Sequence, residues 1–172
     1  MDKTTQQVMF SSKSNEWTTP QGFYDALAKN YNFTLDPCAT KTTSECKKFF
    51  TQDDNGLEQD WSGHTVFMNP PYGREIKKWI KKAFEESRKP NTKVVCLIPA
   101  RTDTSYWHDY CMKAHKISFV RGRLKFGDSN NSAPFPSAVV VFESEAYPIF
   151  TGGNHPKVFT ITADGVEKTG EY

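Results

Sequence analysis

Asn69-Pro70-Pro71-Tyr72 is the segment whose residue types most directly imply chemistry. Asn69 and Pro70 each precede a proline, which pushes both toward extended backbone. Pro70 and Pro71 have a fixed φ and no N–H. The product is a stiff loop whose carbonyl oxygens have no neighbouring donors competing for them. Asn69 adds a side-chain carbonyl and Tyr72 a flat aromatic face. Such a site suits a primary amine attached to an aromatic ring. Two acceptors hold both amino hydrogens, localise the lone pair and stabilise the positive charge that develops on nitrogen. Stacking on an aromatic side chain, worth about 1–3 kcal/mol per base, would hold the ring. A double proline after a strand is often only a turn, so the surrounding elements decide between the two readings.

Those elements alternate in type. Thr18-Thr19-Pro20 reads as a helix start, a hydroxyl cap followed by a proline in the first turn, with Phe23, Leu27 and Ala28 as its apolar stripe. Asn32 to Leu35 reads as a strand entering Asp36-Pro37. Asp54-Asn55-Gly56 marks a turn, and Thr65 to Met68 is a short buried strand ending at Asn69. Ile76, Trp79, Ile80, Ala83 and Phe84 then repeat at helical spacing, with lysines and glutamates on the other face. Val94 to Ile98 is a continuous apolar strand, of the kind found inside parallel sheets covered on both faces, and it ends at Pro99. A helical stretch at Tyr106 to Lys113, a strand at Ile117 to Val120 and closing strands at Ala138 to Phe142 and Val158 to Thr162 complete the pattern.

This order predicts one α/β domain over 1–172, a sandwich with a mostly parallel central sheet and helices on both faces. Residues 1–14 are expected to be loose, 127–136 to form a flexible loop, and 144–172 to supply a closing strand and tail. In such folds ligands sit beyond the carboxyl ends of the strands, where Asp36, Asn69 and Pro99 all fall.

Composition excludes several classes. Hydrophobic content of 37% with mixed charge describes a globular chain, and a net charge of +2 does not by itself identify a nucleic-acid binder. Cys38, Cys46, Cys96 and Cys111 form no CxxC pair and no disulfide framework. The histidines lack ligand spacing, so no metal is expected. Neither a signal peptide nor a run of about 18 apolar residues is present, and the expected location is the cytoplasm. Cys38 lies close to Asp36 but has no evident base partner, which favours a structural thiol. Trp17, Trp61 and Trp79 read as packing residues, and Lys77, Lys78, Lys81 and Lys82 as a solvated helix face.

Six blocks occur in a fixed order: Trp17-Thr18-Thr19-Pro20, Leu35-Asp36-Pro37-Cys38-Ala39, Gly56-Leu57 with Asp60-Trp61, Asn69 to Gly73, Leu97-Ile98-Pro99-Ala100 and Gly122-Arg123-Leu124-Lys125-Phe126. The series resembles the phage-type DNA N-6-adenine methyltransferase family over roughly residues 15 to 143. The resemblance implies a Rossmann-like methyltransferase fold, S-adenosylmethionine as cofactor and the adenine amino group of DNA as acceptor. It implies that Asn69 and the Pro70 carbonyl accept from that amine, within the segment that Pro71 stiffens, and that Tyr72 stacks on the base. Thr19, Pro20 and the turn Asp36, Pro37, Cys38 and Ala39 would line the cofactor pocket. Asp60 would bond the cofactor's adenine ring. Where methyltransferases usually place a glycine-rich turn after the first strand, this chain has Asp36-Pro37-Cys38-Ala39-Thr40.

A paired adenine hides its amine in the stack, so double-stranded DNA would have to surrender the base by flipping. From Arg101 to Lys125 the chain carries six Lys/Arg against two Asp. Arg101, Arg121, Arg123 and Lys125 are the candidates for phosphate contact, with ordinary surface duty as the alternative. No membrane or obligate protein partner is implied. Methylation of RNA, of a glutamine side chain or of cytosine N4 uses related chemistry, and a silent DNA-binding relative is the rival from another class.

Overall fold

The computed structural model describes residues 17–40, 42–44, 46–144 and 156–168. The loose start expected at 1–14, and most of the tail, lie outside these residues. Helix α1 spans Gln21–Tyr31, α2 Ile76–Glu86 and α3 Ser105–Asp109, the last followed by a 3-10 turn at Cys111–Lys113. The strands are β1 Leu35–Asp36, β2 Lys48–Phe49, β3 Thr65–Met68, β4 Lys93–Pro99, β5 Lys116–Arg121, β6 Ser137–Glu143, β7 Lys157–Thr162 and β8 Glu167–Lys168. They form one sheet in the order β2-β1-β3-β4-β6-β5-β7-β8.

The class is α/β, as expected, but the sheet is mixed. Four interfaces are parallel and three antiparallel, because β6 inserts in reverse between β4 and β5 and β8 folds back on β7. Two reversals restore direction, so β5 runs parallel to β4. The carboxyl ends of β1, β3, β4 and β5 therefore share one edge of the sheet, and this edge carries the cavity described below.

Register partners across a sheet point to the same face. Val66, Val94 and Phe142 are such partners, and Phe84 of α2 packs against Phe142 with centroids 6.0 Å apart. The neighbouring residue Phe67 points the other way and meets Tyr24 of α1 at 5.0 Å. Helices α1 and α2 thus cover opposite faces, and β4, buried on both, carries the continuous apolar run Val94 to Ile98. Fully buried Ile80 on α2 alone contributes about 1.5–3 kcal/mol of apolar burial.

The start of α1 differs from the expectation. Pro20 occupies the cap position itself, and its carbonyl accepts from the N–H groups of Phe23 and Tyr24 at 3.0 Å. No hydroxyl caps the helix. At the other end Asn32 is not strand but a left-handed cap (φ 50°), donating its N–H to the Ala28 carbonyl at 2.9 Å. The helical stretch predicted to Lys113 breaks at Tyr110. Among the described residues no helix is long and apolar enough to cross a membrane.

Candidate active site

A cavity of about 460 Å³ opens at the carboxyl edge of β1, β2 and β3. Four segments wall it. After β1, the Asp36 carboxylate accepts from the Cys38 N–H at 3.2 Å and bends the chain through Pro37, Cys38 and Ala39. After β2, the Phe50 N–H donates to the Asp36 carbonyl at 2.9 Å and the Ala39 N–H to the Phe50 carbonyl at 3.0 Å. This lacing brings Thr51, Gln52, Asp53, Asn55 and Gly56 into the wall. Asn69, Pro70 and Pro71 follow β3, and Trp17 to Thr19 pass alongside. Phe67 and Trp79 supply aromatic surface.

Gly56 is held by necessity of space. A Cβ there would lie 1.9 Å from the Pro37 carbonyl oxygen and 3.2 Å from the Trp79 ring. The Trp61 indole N–H fixes the same turn by donating to the Gly56 carbonyl at 2.9 Å.

Asn69 is half-buried and fully oriented. Its Nδ2 donates to the Trp17 carbonyl at 2.5 Å and to Thr19 Oγ1 at 2.9 Å. Its Oδ1 accepts from the Tyr72 hydroxyl at 2.8 Å, and its own backbone carbonyl accepts from the Cys38 thiol at 3.3 Å. Burial, reinforced by Asp36, pushes the Cys38 thiol well up. Cys38 is therefore a neutral donor in the wall, in keeping with a structural thiol.

Tyr72, expected to stack on a base, is buried here. Its ring is 7% exposed and lies outside the cavity wall, meeting Phe135 at 5.4 Å and Phe126 at 6.3 Å, both near perpendicular. Burial pushes its phenol well up, so the hydroxyl remains a donor. Phe126 and Phe135 also clasp the Trp17 ring, at 5.6 and 5.1 Å. The segment at 127–136 is tied down on both sides: the Gly127 N–H donates to the Thr18 carbonyl, and the Ala133 N–H to the Leu124 carbonyl, both at 2.8 Å.

Two expected pocket residues stand elsewhere. Pro20 caps α1 and does not line the cavity. Asp60 precedes β3, at the end of that strand away from Asn69, where it accepts from Ser62 and pairs with Lys89 at 2.9 Å. Those donors hold its carboxyl well below the usual carboxylate range. The acidic residue that does reach the wall near Gly56 is Asp53. It is not legible in the sequence, nor are Gln52 and Asn55, because a polar stretch without periodicity gives no sign of which residue faces inward.

The basic candidates are all exposed. Arg121 ends β5, and Arg123 and Lys125 alternate with buried Leu124 and Phe126 in the segment that follows. Arg101 follows β4 at the same edge and is also exposed. Among the described residues none of these four forms an ion pair. Lys77, Lys78, Lys81 and Lys82 on α2, by contrast, are all paired with carboxylates.

The model of the family described as DNA N-6-adenine-methyltransferase (Dam) matches residues 6–155. A DNA N-6-adenine-methyltransferase of Haemophilus phage HP1 (strain HP1c1) is 29% identical over 144 residues, covering 78% of this chain and 82% of the relative. A protein of the same description from Escherichia phage T1 is 27% identical over 148 residues. That alignment covers 84% of this chain and 61% of the longer phage T1 protein.

Proposed function

We propose a geometry of methyl transfer for this chain, which belongs to the DNA N-6-adenine-methyltransferase family. The chain methylates the N6 amino group of adenine in DNA, a reaction that requires a methyl donor. The donor is read as S-adenosylmethionine, held in the cavity between Asp36 and Asn69. When bound, it supplies an electrophilic methyl carbon on a sulfonium sulfur.

The residues present fit that group. A cavity of about 460 Å³ falls within the range of about 300–1,000 Å³ usual for small-molecule sites. Asp36 and Asp53 offer carboxylates to cationic and hydroxyl groups, Thr19 and Thr40 offer hydroxyls, and Phe67 and Trp79 offer apolar surface. Pro37, Cys38 and Ala39 carry the wall from one carboxylate toward Asn69. The crevice beyond the parallel strand ends and the helices on both faces support a Rossmann-like methyltransferase sandwich.

One observation carries the reading: the Asn69 carboxamide stands at the cavity wall with both hydrogens committed to protein partners. Its oxygen has two acceptor positions, of which Tyr72 takes one. The other accepts one hydrogen of the adenine amine, and the Pro70 carbonyl accepts the second. As nitrogen attacks, positive charge develops on it, and both carbonyl dipoles lie ready without reorganising. Pro71 stiffens the segment, and Tyr72 acts through its hydroxyl, which holds Asn69. In a duplex the adenine must leave the stack, and Arg101, Arg121, Arg123 and Lys125 hold the flanking phosphates.

Incubating the protein with methyl-labelled S-adenosylmethionine and DNA, then digesting the DNA to nucleosides, tests the reading. Label should co-elute with N6-methyladenine. Label in N4-methylcytosine would retain the chemistry and overturn the acceptor, and no transfer from this donor would overturn the cofactor.

A further inference from the structure

We propose that Thr19, together with the backbone carbonyl of Trp17, is a positioning element that fixes which end of the Asn69 carboxamide meets the substrate. The site thereby accepts an amino group and rejects a ring carbonyl. The proposal rests on Asn69 accepting from the adenine amine and adds what makes that acceptance obligatory.

The oxygen and nitrogen of a carboxamide are nearly equal in size, so only their partners distinguish them. The Trp17 carbonyl has no hydrogen to give. The atom facing it at 2.5 Å must therefore be the amide nitrogen. The second amide hydrogen goes to Thr19 Oγ1 at 2.9 Å. At the other end the Tyr72 hydroxyl donates to Oδ1 at 2.8 Å. Turning the amide over would set oxygen against the Trp17 carbonyl and lose that contact outright. The Tyr72 hydroxyl, which also reaches the Leu97 carbonyl at 3.3 Å, can donate to an oxygen or accept from an NH₂ group. The Trp17 carbonyl therefore decides which end is which, and Thr19 holds the second hydrogen in place.

A fixed oxygen end has a chemical consequence. An exocyclic amine presents hydrogens to it, whereas a ring carbonyl presents lone pairs and is repelled. The segment that enforces this lies far away in sequence, 52 residues before Asn69 at Trp17. It is itself anchored: the Trp17 ring is clasped by Phe126 and Phe135, and the Thr18 carbonyl accepts from the Gly127 N–H. Thr19 can serve Asn69 because α1 is capped by Pro20 without any side-chain hydrogen bond, which leaves the hydroxyl uncommitted to the helix.

Thr19→Val keeps the shape and removes the oxygen, while Thr19→Ser restores it. Methyl transfer should be measured at saturating S-adenosylmethionine, with cofactor affinity determined by calorimetry. The expected result is a fall in kcat of about tenfold for the valine variant, corresponding to one ordinary hydrogen bond, and recovery to within about threefold of wild type for serine. In the wild-type protein both Asn69 side-chain amide protons should also exchange slowly by NMR, a readout that needs no variant. A valine variant with wild-type kcat, a loss confined to cofactor affinity, or a fast-exchanging Asn69 amide proton would each overturn the proposal. Failure of the underlying reading looks different: Asn69→Ala would itself turn over like wild type.

Discussion

Gly56 and Pro37 approach so closely that a Cβ on Gly56 would lie 1.9 Å from the Pro37 carbonyl oxygen. The wall after β2 is thereby pressed onto the turn after β1, and the cavity takes its shape from that contact. The indole N–H of buried Trp61 holds the Gly56 carbonyl from behind, so the turn cannot relax by peeling away.

Gly56→Ala should therefore distort the cavity as well as destabilise the fold. Overpacking of this kind costs about 1–3 kcal/mol, which for a chain of this size lowers Tm by several degrees. Calorimetry should show weaker S-adenosylmethionine binding alongside the lower Tm. A variant with unchanged Tm and affinity would mean that Pro37 gives way freely.

Glu86 provides a test in pH. Burial alone would raise its carboxyl, but hydrogen bonds from Lys82, Lys89 and the Trp61 N–H outweigh it and leave the value lowered. A lowered folded value contributes stability above the ordinary Glu value of about 4.3, lost as pH falls through the folded one. Wild type should be more stable to urea than Glu86→Gln at pH 7, and this margin should shrink steadily below about pH 4.3. A margin independent of pH would show that the carboxylate charge is not what matters.

Arg121 and Arg123 lie exposed at and just beyond the carboxyl end of β5 and lack ion-pair partners among the described residues. Replacing both with alanine should weaken DNA binding and leave cofactor affinity unchanged. If each arginine neutralises one phosphate, the slope of log affinity against log salt should fall by up to about 1.8 on duplex DNA, at about 0.9 per phosphate. Titrations at several salt concentrations decide this. Wild-type affinity and slope would return the arginines to surface duty and move the search for DNA contacts to the cations of α2.

Local signals made part of this architecture readable. The period of Ile76, Trp79, Ile80 and Ala83 and the unbroken run Val94 to Ile98 are properties of adjacent residues, and the structure has α2 and β4 there. Asn69 at the end of β3 was equally plain, because two prolines stop a strand wherever they fall. The reversed insertion of β6 beside β4 depends on partners as distant as Lys93 and Glu143, which no local period reports. Two-residue strands such as β2 carry no period at all. The expected roles of Asp60 and Tyr72 rest on family resemblance, and no local pattern reports that Asp60 precedes β3 beside Lys89 or that Tyr72 packs against Phe126 and Phe135. Thr19 is legible as a pocket residue, but its bond to Asn69 is not, since nothing in a linear sequence reveals a contact across 50 positions.

The most direct test of the mechanism is the single-turnover rate of Asn69→Ala on adenine-containing DNA, measured beside its affinity for S-adenosylmethionine. Losing one oriented acceptor of developing charge costs about 2.7–4 kcal/mol, a fall of about 10²–10³ in rate. That loss should appear with cofactor affinity close to wild type. A rate within tenfold of wild type would remove Asn69 from the transition state.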